Sequence, residues 1–544
     1  MAMLSATEYQ PRPIVRTARW VSLLFGLAGA IVGALPAAAE ADHFHGVQGN
    51  LTTFGSIDFE NSCATSVQSE FRLAVAMLHS FAANADRFVR VANHDPACAI
   101  AWWGAAMAAR GNPLVGDLDR DTLRIGQEFL AHAQRLTATP RERAFLDAIG
   151  IYYRDYPDGG QLARARAYEA AMERVFRAYP DDPEAGEFYG LAMVEAVDLN
   201  SRNYNQQLGA GKVLEALVAR YPDHPGGLHY LIHAYDFAPL AARGLPAARR
   251  YASVAPASYH ARHMPSHIFT MLGLWQESIR ANRESNAVID PDHASDPVGG
   301  DIAGLHAFDF ITYARLQLAQ DRRVAADLDG AHKAGKPVTL MQVRFALERA
   351  DWSTAATMPL ANDGGFDDVT ARFARALGAA RRGDVPVAKA ELRELQALRS
   401  GIEQALGTYW AGFLDIYAHT AAAWVEKAAG RVEEGLAEMS KAAELDDARE
   451  KNIAMENKLL QAREMLGEYL LETGKPAEAE AAFAKSLEHA PNRYRGLIGA
   501  ARAAHAAGHA GTARDYYRSF LALTQDADAR SSDISEARDY LAKP

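Results

Sequence analysis

Eight of the 18 histidines in this 544-residue chain fall between His224 and His306, and two pairs among them have a spacing that chemistry can use. His229 and His233 are four residues apart, as are His263 and His267, so on a helix both imidazoles of a pair leave the same face. The second pair follows the first at an offset of 34 residues. In a chain that repeats with that period, the four rings occupy equivalent places on neighbouring helices. Asp236 and Thr270 keep the same offset and extend the stripe by one turn. Neutral imidazole is the common protein ligand for Zn, Cu, Ni and Fe. Two pairs and a carboxylate would complete a four- or five-coordinate site for such a divalent metal. His229, His233, His263 and His267 are therefore the candidate metal ligands. His79, Glu187, Asp236 and His306 are the further candidates, as ligands or as partners that orient them. The same rings could instead serve acid–base chemistry or hold an anionic ligand. Pro265 falls in the first turn of its helix and would splay His263 from His267. Trp102, Trp103, Tyr189, Tyr235, Phe269 and Phe310 are candidate walls of the pocket.

The elements that must position these side chains are read from internal periodicity. Leu466, Gly467, Gly474, Ala479, Phe483 and Pro491 have the spacing of two antiparallel helices, with Gly474 at the turn, Ala479 at a close approach and Phe483 filling the gap to the next unit. Gly508, Ala513 and Tyr517 hold the same roles 34 residues on. Over about 455–525 the chain resembles the tetratricopeptide repeat family, and weaker copies run upstream through Gly430, Gly383 and Gly273. The resemblance implies an all-α fold, a right-handed α-solenoid of antiparallel helix pairs whose concave face binds a protein or peptide partner. Thr139-Pro140-Arg141-Glu142 reads as a capping box with proline at the first helical position. Glu187 stands four residues after Pro183, as His229 does after Pro225, which makes it the equivalent position on the preceding helix. Interruptions are expected near 287–303 and 446–456. Irregular repeats are expected over 42–335 and regular ones over 366–544, with Asn362-Asp363-Gly364-Gly365 as the linker.

Residues 1–39 read as a signal peptide. Arg12, Arg16 and Arg19 precede the 15-residue apolar run Val21–Leu35, and Pro36 and Ala37-Ala38-Ala39 follow it, as a cleavage site requires. Cleavage after Ala41 fits almost as well. Bacterial export to the periplasm or medium is the expectation, with no membrane span after cleavage. In an oxidising compartment the two cysteines, Cys63 and Cys98, are most simply a disulfide, a buried thiol or a thiolate ligand being the alternatives. A formal net charge of −11 speaks against nucleic acid as a partner.

Nucleotide-loop, dinucleotide, hydrolase-elbow, zincin and Cys-x-x-Cys motifs are all missing, so the sequence names no reaction. Three functions compete: an exported scaffold for a protein or peptide, a metal- or small-ligand-binding protein centred on 187–310, and a metal-dependent enzyme using the histidine pocket. The scaffold with a histidine pocket is the primary reading.

Overall fold

Caps and prolines fix where the helices begin. Thr139 accepts the Glu142 N–H at 3.2 Å and the Glu142 carboxylate accepts the Thr139 N–H at 2.8 Å, the reciprocal box that Thr-Pro-Arg-Glu encodes. Asp182 caps the helix Pro183–Glu195 and His224 caps Pro225–Tyr235, each side chain accepting a backbone N–H two residues on. Proline opens both helices, where its missing N–H costs nothing.

In the computed structural model of the chain, residues 53–114, 118–154, 160–199, 202–289, 302–451 and 458–543 are described, and every regular element among them is a helix. The fold is an all-α array of helical repeats. The expected signal peptide over 1–39 and most of the two expected interruptions lie outside the described residues, and no helix among those described is long and apolar enough to cross a membrane. Contacts divide the described chain into two units, 53–268 and 269–543.

In the first unit, helices Pro183–Glu195, Asn205–Arg220, Pro225–Tyr235 and Ala241–Val254 pack each on the next, the last two links being short, as between antiparallel neighbours. The helices Ala99–Ala109 and Pro225–Tyr235 bury every residue they contain. A helix enclosed on all sides has no polar stripe, so the histidines of the second one point into protein. Where backbones crowd, glycine makes room: a Cβ on Gly226 would lie 2.6 Å from His79 Nδ1, and one on Gly227 2.8 Å from Glu187 Oε1.

The sulfurs of Cys63 and Cys98 are bonded, with Cα atoms 4.6 Å apart. The bridge ties the segment before helix Gln68–His79 to the cap of helix Ala99–Ala109. Closing a loop between residues 35 apart restricts the unfolded chain by about 3–4 kcal/mol. Reductant should therefore lower the unfolding free energy by that amount in a urea titration. A stability indifferent to reductant would contradict the bridge.

In the second unit the expected repeat roles are filled. Gly474 and Gly508 take φ of +78° and +83° at the turns between paired helices, which favours glycine. Ala479 and Ala513 are fully buried. Phe483 wedges between two helices: a Cβ on Gly467 or Gly499 would stand 2.7 or 2.3 Å from its ring. The helices Ala462–Glu472, Pro476–His489, Tyr494–Ala506 and Ala510–Leu523 thus form tetratricopeptide-like pairs. Asn362–Gly365 lies inside this unit, where Asp368 accepts the Asn362 and Gly364 N–H groups at 2.9 Å before helix Phe366–Arg381.

Candidate metal centre

The Pro225–Tyr235 helix carries His229 and His233 on one face, and their Nε2 atoms meet at 3.0 Å. The third ring at this point is His260, whose Nε2 also lies 3.0 Å from that of His229. His260 sits on the helix Tyr259–His263. It is half-buried, while His229 and His233 are buried. Only one proton arrangement is open to His229: its Nδ1 lies 2.6 Å from the His79 carbonyl oxygen, which can only accept. Nδ1 therefore carries the hydrogen and Nε2 presents a bare lone pair. Burial pushes the His229 imidazole down to about 3, so it stays neutral. Two further nitrogens approach that single lone pair, which can accept one well-aligned hydrogen bond. A cation bonded to imidazoles at about 2.0–2.1 Å draws nitrogens to roughly this separation. His229, His233 and His260 are the residues that could hold such an ion.

The end of the helix Gln68–His79 shapes the trio. His79 supplies the carbonyl for His229, and Ser80 accepts a hydrogen bond from Tyr251 OH at 3.0 Å. Tyr251 in turn stacks on His229 at 5.2 Å. Phe81 has φ of +52°, a left-handed backbone that costs a bulky residue about 1–2 kcal/mol. That strain places its ring 4.5 Å from His229, 5.4 Å from His260 and 6.0 Å from His233.

His263 and His267 form a neighbouring pair. Their Nε2 atoms are 3.0 Å apart, and Asp236 accepts the His267 Nδ1–H at 2.9 Å. Pro265 interrupts the helix at Met264 without splaying the pair. The rings of His233 and His267 lie 6.3 Å apart. The structure thus groups His229 and His233 with His260, and His263 with His267 and Asp236, where the sequence suggested four rings on one ion. His260 carries no repeat signal, because the residue 34 positions earlier is Gly226. It lies three residues before His263 in a histidine-dense segment, and that was its one trace in the sequence.

His79 and Glu187 point elsewhere. The His79 ring meets Glu184 and Tyr230, at 2.8 and 2.9 Å. Glu187 lies 3.6 Å from His224. These groups form a second, fully buried polar cluster. Burial lowers the His79 pKa, against the pull of Glu184. Burial opposes ionisation of Glu184, but His79 and His224 outweigh it and hold its carboxyl far below the usual range. Burial also opposes protonation of His224, and Glu187 and Glu184 outweigh that, raising it. Burial and the nearby Glu184 charge push Glu187 up to about 7, against the pull of His224. His306 belongs to the second unit, on helix Ile302–Gln317, where its ring packs 5.2 Å from Phe310.

Of the candidate wall aromatics, Trp102, Trp103, Tyr235, Phe269 and Phe310 are buried and Tyr189 is half-buried: Trp103 packs among Phe59, Phe145 and Phe188, Trp102 stacks on His132, Tyr189 stacks on Phe176, and Tyr235 OH donates to Glu215. His489, His505 and His509 are exposed.

No known protein family matches the chain, and no curated protein does. Among solved structures, it is similar to the TPR domain of P58(IPK) at 15% identity and a TM-score of 0.20, covering 66% of this chain and 99% of that one. It is similar to the human IFIT1 dimer with m7Gppp-AAAA at 10% identity and a TM-score of 0.34, covering 86% and 95%. The APC/C hetero-tetramer Cut9-Hcn1 gives 10% identity, a TM-score of 0.33 and coverage of 74% and 78%.

Proposed function

We propose that the protein is an exported helical-repeat scaffold whose first unit holds a divalent transition metal on His229, His233 and His260. The observation that carries the metal reading is the meeting of three Nε2 atoms at a His229 whose other nitrogen is committed to a backbone carbonyl. An all-imidazole set suits Zn, Cu, Ni or Fe. Aromatic rings on two sides, Phe81 and Tyr251, hold the imidazoles in place. The His263–His267 pair, oriented by Asp236, lies beside the trio.

The scaffold reading has its own support in the second unit. A polar cleft of about 590 Å³ is lined by Trp352, Arg381, Glu468, Tyr494, Arg495 and Asp533 among others. Paired charges beside aromatic faces suit a polar peptide segment. The Cys63–Cys98 bridge fits an oxidising compartment outside the cytoplasm, and the acidic net charge argues for a protein partner over a nucleic acid.

Elemental analysis of the exported protein, purified without a histidine tag, tests the metal reading. Stoichiometric Zn, Cu, Ni or Fe is expected. A metal-free protein that also fails to take up any of the four from solution would remove it. Sequencing the same sample from its N-terminus should begin at Glu40 or Asp42, and an intact Met1 would remove the export reading.

A further inference from the structure

The structure assigns, we propose, a second divalent-metal site to His79, Glu184 and His224, with Glu187 as the carboxylate that orients His224. The three ligand residues come from separate helices or their caps. His79 ends Gln68–His79, Glu184 lies in the first turn of Pro183–Glu195, and His224 caps Pro225–Tyr235. Their ligand atoms lie within 4.8 Å of one another. The His79 and His224 Nε2 atoms are 2.8 and 3.2 Å from the two Glu184 oxygens. Two imidazoles and one carboxylate are an established donor set for zinc.

The independent sign of a ligand is Glu187. Its side chain is fully buried, and neither carboxylate oxygen has a hydrogen-bond partner among the described residues. Leaving a carboxylate so placed is costly. Its Oε1 faces His224 Nδ1 at 3.6 Å, while that nitrogen accepts the Gly226 N–H at 3.2 Å. His224 Nε2 therefore carries the hydrogen and donates it to Glu184. With a cation on Nε2, the hydrogen moves to Nδ1, which gives up the Gly226 N–H it had accepted and donates instead to Glu187, the carboxylate–imidazole–metal arrangement that orients such ligands. His79 changes tautomer in the same way, with Tyr230 OH accepting from its Nδ1. Neither imidazole loses a proton. Two ionised carboxylates and a divalent ion then sum to zero charge in the interior. Gly226 and Gly227 leave the space: a side chain at either position would press on His79 or Glu187.

This site shares only His79 with the three-imidazole trio, through its backbone carbonyl, and stands or falls separately. The full-length exported protein, stripped with chelator, is titrated with Zn(II). It is also refolded in Zn(II), because the ligand residues are shut off from solvent. Two equivalents are expected in the wild type. Glu184→Gln should lose one equivalent and keep the other, and His260→Ala should lose the other. Glu187→Gln should weaken the Glu184 equivalent by about 10–100-fold. A Glu184→Gln protein that folds and binds as many equivalents as the wild type overturns the proposal. One equivalent lost in Glu184→Gln and retained in His260→Ala would uphold this site and sink the trio. Nitrogen NMR of the unmutated chain gives a readout that needs no variant. Zn(II) should convert His224 Nδ1 from a bare to a protonated nitrogen, and an unchanged signal in Zn(II)-refolded protein overturns the proposal.

Discussion

Replacing His260 with alanine is expected to lower affinity for Zn(II) at the three-imidazole centre by more than about 100-fold. Loss of a carboxylate or carbonyl that only orients a ligand already costs about 10–100-fold, and His260 would itself be a ligand, 3.0 Å from His229 Nε2. Folding should hardly change. His260 is half-buried at the edge of the cluster, so its truncation should cost about 1 kcal/mol or less. His229→Ala should cost both metal and stability, because that ring is buried, stacked on Tyr251 and bonded to the His79 carbonyl. His489→Ala, at an exposed site in the second unit, should change neither. Calorimetric titration of the three variants beside thermal melts separates the outcomes. Wild-type affinity in His260→Ala would dismiss the trio.

The largest stability effect is expected at Arg493→Met. Arg493 is fully buried in the second unit and donates to Glu464 at 2.6 and 2.9 Å, to Glu348 at 2.9 Å, and to Tyr313 OH. Removing the guanidinium strands two buried carboxylates, and breaking such a pair costs about 3–5 kcal/mol. The sign with pH follows. Burial opposes ionisation of both carboxyls; in the wild type Arg493, with Arg495 and Arg349, outweighs it at Glu348 and holds that group low, while burial wins at Glu464 and raises it. Losing the guanidinium shifts both upward in the folded state, so relative to wild type the variant loses stability as pH rises past the ordinary carboxylate value of about 4.3 and recovers it as pH falls. The difference from wild type should therefore be greatest near neutral pH and shrink toward pH of about 4. Adding Glu464→Gln to the variant should recover part of the loss, as a double-mutant cycle would measure. A pH-independent loss, or none, would contradict this account.

The sequence by itself determined much of the local architecture. The capping box at Thr139 and the prolines Pro140, Pro183 and Pro225 mark helix starts, and Gly474 and Gly508 mark turns, because these residues act on their own backbone. Small and aromatic positions such as Ala479 and Phe483 were legible because close approach between paired helices recurs at a fixed period. With only two cysteines and an oxidising compartment expected, the sequence favoured the Cys63–Cys98 bridge over a buried thiol or a thiolate ligand, and the structure bonds the two sulfurs. Only the tertiary structure decided which histidines meet. A period of 34 residues relates equivalent places on equivalent helices, and it pointed to His263 as the partner of His229. The actual partner, His260, lies on a short helix broken at Pro265, outside the repeat register. The contribution of His79 is a main-chain oxygen, which no residue pattern announces. Glu184, one residue into its helix, and His224, at the cap of another, follow no spacing that sets them apart in the sequence. They become a buried cluster because Gly226 and Gly227 let three helix ends come together, and that proximity is a property of packing, not of spacing along the chain.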